Sequence, residues 1–143
     1  MQKISVKNSG EIRLQTFDDR RDGRLFIGEA MKNVPLKIKR FYFINGLMGK
    51  KSVRGRHAHR KLEQCIFCLH GSFVLTLDDG ARKQTVTLDD PACGVRLGRM
   101  LWHSMSGFSK DCVILVVTDD YYKESDYIRN YEDFIQQVKA GKR

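Results

Sequence analysis

The sequence predicts an all-β fold, a sandwich or barrel of many short strands, with one helix at its C-terminal end. Three observations carry this. Nine short stretches rich in Val, Ile, Phe and Tyr are separated by turn residues. The two prolines, Pro35 and Pro91, both fall between such stretches and interrupt none of them. An amphipathic helical period stands out in the last segment.

The expected strands are Ile12–Phe17, Arg24–Gly28, Ile38–Asn45, Arg54–His59, Gln64–Leu69, Phe73–Leu77, Lys83–Leu88, Gly94–Leu97 and Val113–Thr118. Leu77-Asp78-Asp79-Gly80 reads as a hairpin turn, because glycine takes the positive φ such turns require. In the last segment Tyr131, Phe134, Ile135 and Val138 follow the i, i+3, i+4, i+7 spacing of a helix with one apolar face. Asn130 is placed to cap its start, Glu132 and Asp133 suit the positive end of its dipole, and Gly141 suits its stop. This helix is expected on the outside of the barrel, with its aromatic stripe used for packing.

The 143 residues fit one domain spanning 1–143. With 41% hydrophobic residues the chain can bury a core. No apolar run approaches the ~20 residues that span a bilayer. The stretch Met1-Gln2-Lys3-Ile4-Ser5 has no apolar run of the signal-peptide kind. The expected compartment is the cytoplasm, where Cys65, Cys68, Cys93 and Cys112 are free thiols. Cys65 and Cys68 form a C-x-x-C, but three residues apart on a strand they point to opposite faces. They read as small buried hydrophobes rather than as a redox or zinc pair.

The formal charge is +9, from 26 Lys and Arg against 17 Asp and Glu. That favours an anionic partner. The basic residues are dispersed, and no nucleic-acid-binding motif or basic helix is present. A phosphate-bearing small molecule suits this balance at least as well as nucleic acid.

The chemistry concentrates in Arg54-Gly-Arg-His57-Ala58-His59. Two histidines at i and i+2 on a strand share a face, which in a barrel can be the interior. Neutral imidazoles there can bind a metal or move protons near neutral pH. The spacing continues with four residues to Gln64 and six more to Gly71. This resembles the first motif of the cupins, and His103 lies where their second motif supplies a histidine. The fold implied is a double-stranded β-helix, or jelly-roll, barrel with a short C-terminal helix. Metal-binding cupins use three His and one Glu. Here Gln64 holds the Glu position, which favours a metal-free site, because a neutral amide is a weak ligand. Glu63, one residue earlier, is the alternative ligand.

A narrower resemblance follows. The stretches Ile38-Lys-Arg-Phe-Tyr-Phe-Ile44, Arg54-Gly-Arg-His-Ala-His-Arg-Lys-Leu62, Met100-Leu-Trp-His103 and Ser125-Asp-Tyr-Ile-Arg-Asn-Tyr131 resemble the sugar-nucleotide 3,4-ketoisomerases. That family acts on dTDP-4-keto-6-deoxyglucose. The resemblance implies a homodimer that exchanges N-terminal strands, with no metal or organic cofactor. From the residues themselves, no nucleic acid and no membrane are expected as partners. It implies an enzyme of deoxysugar biosynthesis for glycans such as lipopolysaccharide or an S-layer. The family's Arg-Gly-x-Leu of the first hairpin is replaced by Asp22-Gly-Arg-Leu25, so Arg21 or Arg24 is the candidate substitute.

His57 and His59 are the expected acid/base pair, in an order the sequence leaves open. Tyr42 is the candidate donor to an oxyanion. Arg54 is the candidate for the diphosphate, Gln64 for the sugar and His103 for the pocket wall, and Arg21 is a further candidate substrate-binding residue. Tyr127, Arg129 and Tyr131 read as packing residues. Two other uses stay open: a related 3,5-epimerase, and a sugar-nucleotide-binding cupin without turnover.

Overall fold

The computed structural model describes residues 3–47 and 51–141. Met1 and Gln2, the start of the stretch read above for a leader, lie outside the described residues. The strands are β1 (Ser9–Arg13), β2 (Gln15–Asp19), β3 (Gly23–Ile27), β4 (Arg40–Ile44), β5 (Arg54–His59), β6 (Gln64–His70) and β7 (Phe73–Asp78). They continue with β8 (Lys83–Leu88), β9 (Cys93–Leu97), β10 (Trp102–Ser106), β11 (Val113–Thr118) and β12 (Tyr127–Ile128). A single 3₁₀ turn covers Glu124–Asp126, and helix α1 covers Tyr131–Ala140.

Ten strands form two five-stranded antiparallel sheets. One runs β1-β9-β6-β11-β4 and the other β12-β5-β10-β7-β8. From β4 onward consecutive strands sit in opposite sheets, apart from the β7–β8 hairpin, as in a jelly roll. Strands β2 and β3 pair only with each other among the described residues, as a separate hairpin.

Alternation along each strand explains the layers. Ile66 and Cys68 of β6, Val95 and Leu97 of β9, and Ile114 and Val116 of β11 face Phe73, Leu75 and Leu77 of β7 across the main core. The intervening Cys65 and Phe67, with Val117, face outward against Ile12, Val34 and Leu36. Cys65 and Cys68 therefore do lie on opposite faces. Burial pushes both thiols up to about 12, so neither is a ready thiolate.

Helix α1 packs Phe134 against Ala58 and Ile128 on the outer side of the second sheet. Asn130 caps it by accepting the Asp133 N–H at 2.9 Å. Gly141 ends it at φ −71°, without using the left-handed freedom of glycine. The hairpin at Asp79-Gly80 forms as expected, with Gly80 at φ +82° and Asp79 accepting the N–H groups of Ala81 and Arg82.

Three strand expectations change. The segment Ile12–Phe17 splits at Leu14, whose N–H leaves the ladder for the Ala92 carbonyl at 2.8 Å. Strand β10 was not expected, because Trp-His-Ser-Met-Ser lacks β-branched residues. Strand β12 is too short to carry a pattern.

Candidate active site

The cavity lies at the open side of the barrel, between β4 and β5, with a volume of about 470 Å³. That is within the usual range for a small-molecule site. Strand β4 presents Arg40, Tyr42 and Ile44 to it and turns Phe41 and Phe43 outward, where both are exposed. Strand β5 presents Arg54 and His57. These two are three apart, so strict alternation would put them on opposite faces. A bulge resolves this: the β5–β10 register shifts between His103 and Ser104, and Gly55 and Arg56 both take positive φ, +82° and +57°. A side chain on Gly55 would stand 3.0 Å from the His103 carbonyl, so glycine is required there.

His57 is the centre of the site. Its ring lies 4.6 Å from that of His103, 4.9 Å from that of His59 and 4.8 Å from that of Tyr127, centre to centre. His57 lines the cavity; His59, almost fully buried, stands behind it. His103 faces the cavity and its neighbour Trp102 faces away, against Tyr131 and Phe134. All three imidazoles are held neutral. Burial lowers His57; burial and then His57 push His59 down to about 4; burial holds His103 well below its ordinary value. Burial, with Tyr127, pushes the Tyr42 hydroxyl up to about 12, so it is a donor at neutral pH.

Gln64 and His103 fix each other. His103 Nδ1 is 3.3 Å from the Leu101 carbonyl, an acceptor, so the neutral ring carries its proton there. Its Nε2 is then an acceptor and takes the Gln64 Nε2–H at 3.1 Å. This arrangement does not fit a metal. The His103 lone pair that would face a cation is engaged by an amide. Glu63, the alternative ligand, is turned to Arg96 at 3.0 Å and Arg99 at 3.6 Å. Among the described residues no cluster of three His, Cys, Asp or Glu side chains could hold a metal.

Cationic groups line the same cavity. Arg40, Arg54 and Arg129 reach it, and Arg129 lies 4.3 Å over the Tyr127 ring while pairing with Glu124. Among the described residues three buried side-chain nitrogens lack a hydrogen-bond partner, and all sit in or behind this cavity: Arg40 Nε, His57 Nδ1 and His59 Nδ1. Unpaired buried polar atoms are costly, and of these three Arg40 Nε and His57 Nδ1 belong to side chains that line the cavity, where a polar ligand would relieve them.

The structure thus brings together Tyr42, Arg54, His57, Gln64 and His103, with His59 one layer back. Arg21 is elsewhere, on the turn of the β2–β3 hairpin, outside the cavity of its own chain. Arg40, Tyr122, Tyr127 and Arg129 line the cavity unforeseen. Tyr127 and Arg129 were expected to pack; β12 instead joins β5 through Tyr127↔His59 and carries them to the site. Tyr131 does pack, donating its hydroxyl to Asp78 at 2.8 Å.

A family model described as FdtA, WxcM-like, C-terminal, matches residues 7–139. The chain belongs to this FdtA family. A curated relative, the TDP-4-oxo-6-deoxy-alpha-D-glucose-3,4-oxoisomerase of Aneurinibacillus thermoaerophilus, is 50% identical over 116 residues, 81% of this chain and 83% of that protein. The sugar 3,4-ketoisomerase QdtA of Thermoanaerobacterium thermosaccharolyticum, solved with TDP, has 35% identity and a TM-score of 0.91, over 96% of this chain and 98% of its own. A 3,4-ketoisomerase of Helicobacter canadensis has 32% identity and a TM-score of 0.88, over 94% and 99%. The all-β barrel with a C-terminal helix is therefore this family's fold.

Proposed function

We propose that this FdtA-family chain is a sugar-nucleotide 3,4-ketoisomerase that converts dTDP-4-keto-6-deoxyglucose to its 3-keto isomer. The observation that carries the reading is His57: a neutral imidazole facing a cavity with a tyrosine donor and three arginines, in a chain 50% identical over 116 residues to such an isomerase.

The chemistry is a tautomerisation. The C4 ketone acidifies the C3–H. His57 takes that proton while Tyr42 donates to the oxygen developing charge at C4. The enediol then takes a proton at C4, and the hydroxyl proton moves from the C3 oxygen to the C4 oxygen, leaving the ketone at C3. Atoms and electrons balance without a redox partner. Arg40, Arg54 and Arg129 suit the diphosphate, since guanidinium binds phosphate oxygens in a bidentate fork. Gln64 holds His103 neutral at the wall. His59 is the proton-handling partner behind His57.

The cationic surface fits a phosphorylated substrate, and among the described residues no helix is long and apolar enough to cross a membrane. The reading includes a cytoplasmic enzyme, one domain, no metal or cofactor, and deoxysugar supply for surface glycans. It also includes a homodimer. The separate β2–β3 hairpin exposes Phe17 and Leu25, and β4 exposes Phe41 and Phe43, apolar surface that a second copy would cover. Exchange of that hairpin is how Arg21 would reach a cavity, that of the partner.

The test is incubation with dTDP-4-keto-6-deoxyglucose in deuterated buffer containing a chelator, read by NMR. A 3-keto product labelled at C3 or C4 and not at C5 is expected. Label at C5 would indicate an epimerase, and tight binding without turnover a sugar-nucleotide-binding protein.

A further inference from the structure

Behind the histidine pair lies a carboxylate with no role so far. Asp126 closes the 3₁₀ turn just before β12. Its Oδ1 accepts the Lys61 N–H at 2.8 Å and its Oδ2 the Leu62 N–H at 3.0 Å. Its backbone carbonyl accepts the Arg60 N–H at 2.9 Å. The Arg60 guanidinium donates to the carbonyls of Ser125 and Tyr127 at 3.0 and 2.7 Å. The carboxylate is therefore held on both oxygens and from both sides of its own turn.

Oδ2 of this fixed carboxylate is 3.4 Å from His59 Nδ1. That nitrogen has no hydrogen-bond partner, and His59 is 4% exposed. The other groups against the ring are His57 on its own strand, His103 on β10, Tyr127 on β12 and the more distant Arg40 of β4. Among these and Asp126, the carboxylate is the single anion. It faces Nδ1, so a proton on Nδ1 is attracted and a bare lone pair there is repelled. The ring geometry then turns Nε2 away from Asp126.

We propose that Asp126 is a positioning residue for the isomerisation: it fixes His59 with its proton on Nδ1, leaving Nε2 as the acceptor beside His57. This rests on the ketoisomerase reading and orders its histidines. His57 meets the substrate. Once His57 has taken the C3 proton, His59 accepts a proton from His57 on Nε2 and becomes a cation facing Asp126. It returns that proton from Nε2 to His57, which delivers one to C4, so the His59 Nδ1–H bond never breaks. The pull of Asp126 on that cation opposes the burial and the His57 repulsion that otherwise disfavour it.

The first measurement uses the wild-type protein and no substrate. Long-range ¹H–¹⁵N NMR of the histidine rings, with His59 assigned by its loss in His59→Gln, should show the Nδ1–H tautomer at pH 7. An Nε2–H tautomer overturns the proposal whether or not the protein turns over a sugar. The second is Asp126→Asn, with kcat and TDP affinity measured together. We expect kcat to fall about 100-fold, the lower end for a disabled acid–base group, with TDP affinity unchanged. An unchanged kcat, or TDP affinity falling in step with kcat, overturns the proposal and leaves Asp126 as a clamp on residues 60–62. Absence of turnover in the wild type would instead sink the ketoisomerase reading, and the tautomer would still decide the role of Asp126.

Discussion

Replacing Gln64 by Glu should make His103 take up a proton. The wild-type contact is 3.1 Å between Gln64 Nε2 and His103 Nε2, with both residues buried. A carboxylate cannot donate, so a neutral His103 would point a lone pair at a buried anion. The ring cannot simply move its proton to Nε2, because Nδ1 would then face the Leu101 carbonyl bare. Protonating both nitrogens satisfies both contacts. At about 3 Å and an effective dielectric of 20, the new pair attracts by about 5 kcal/mol. Holding a group protonated costs about 1.4 kcal/mol per pH unit above its pKa, so this attraction offsets about three and a half units. Ring ¹³C and ¹⁵N shifts should report His103 as a cation at pH 7 in Gln64→Glu and neutral in the wild type. The sign of its pH dependence should also reverse. A raised pKa gives stability that is present below about 6.5 and is lost as pH rises through the new value. A folded Gln64→Glu protein with neutral His103 would refute the reasoning. It would mean either that the buried carboxyl keeps the proton itself and donates it to His103 Nε2, or that the amide is reversed and His103 donates from Nε2.

Acid should destabilise the wild type earlier than carboxylates alone would. His59 titrates near 6.5 unfolded and about 4 folded, so the unfolded chain binds more protons in that window. Stability present at neutral pH should fall by about 3 kcal/mol between pH 6.5 and 4 from this group, with His57 and His103 acting in the same direction, read by urea unfolding at several pH values. Gly71→Ala should cost about 1–3 kcal/mol in thermal unfolding, since φ is +73° and the new carbon would sit 2.2 Å from Ser109 Oγ and 3.1 Å from Cys112 Cα. Arg54→Ala, exposed at the cavity mouth, should weaken TDP binding about tenfold by calorimetry while leaving the melting temperature unchanged.

The legible part of the site was the part that obeys a period. His57 and His59 share a side because β5 alternates beyond its bulge, and Gln64 faces in because β6 begins on it. The phase of Arg54 was not legible, since it depends on the bulge between two strands. Tyr127 and Arg129 were misread because β12 acquires its meaning only by pairing with β5, nearly seventy residues earlier in the chain. No spacing rule joins Gln64 to His103 or Asp126 to His59; those contacts come from closing the barrel. In the fold, β10 hid its alternation of His103 and Met105 inward behind residues of low strand preference. The hairpin β2–β3 was expected from its two strand patterns, and among the described residues it joins neither sheet.

Strand β4 works on both sides at once, with Arg40 and Tyr42 in the cavity and Phe41 and Phe43 outside. A two-residue repeat tolerates substitution on either side independently, but not a change in count. One residue inserted or deleted between Arg40 and Ile44 would carry phenylalanine rings into the cavity and a guanidinium and a phenol out of it. A change of length is therefore harmless to the cavity only outside the strand, before Arg40 or after Ile44.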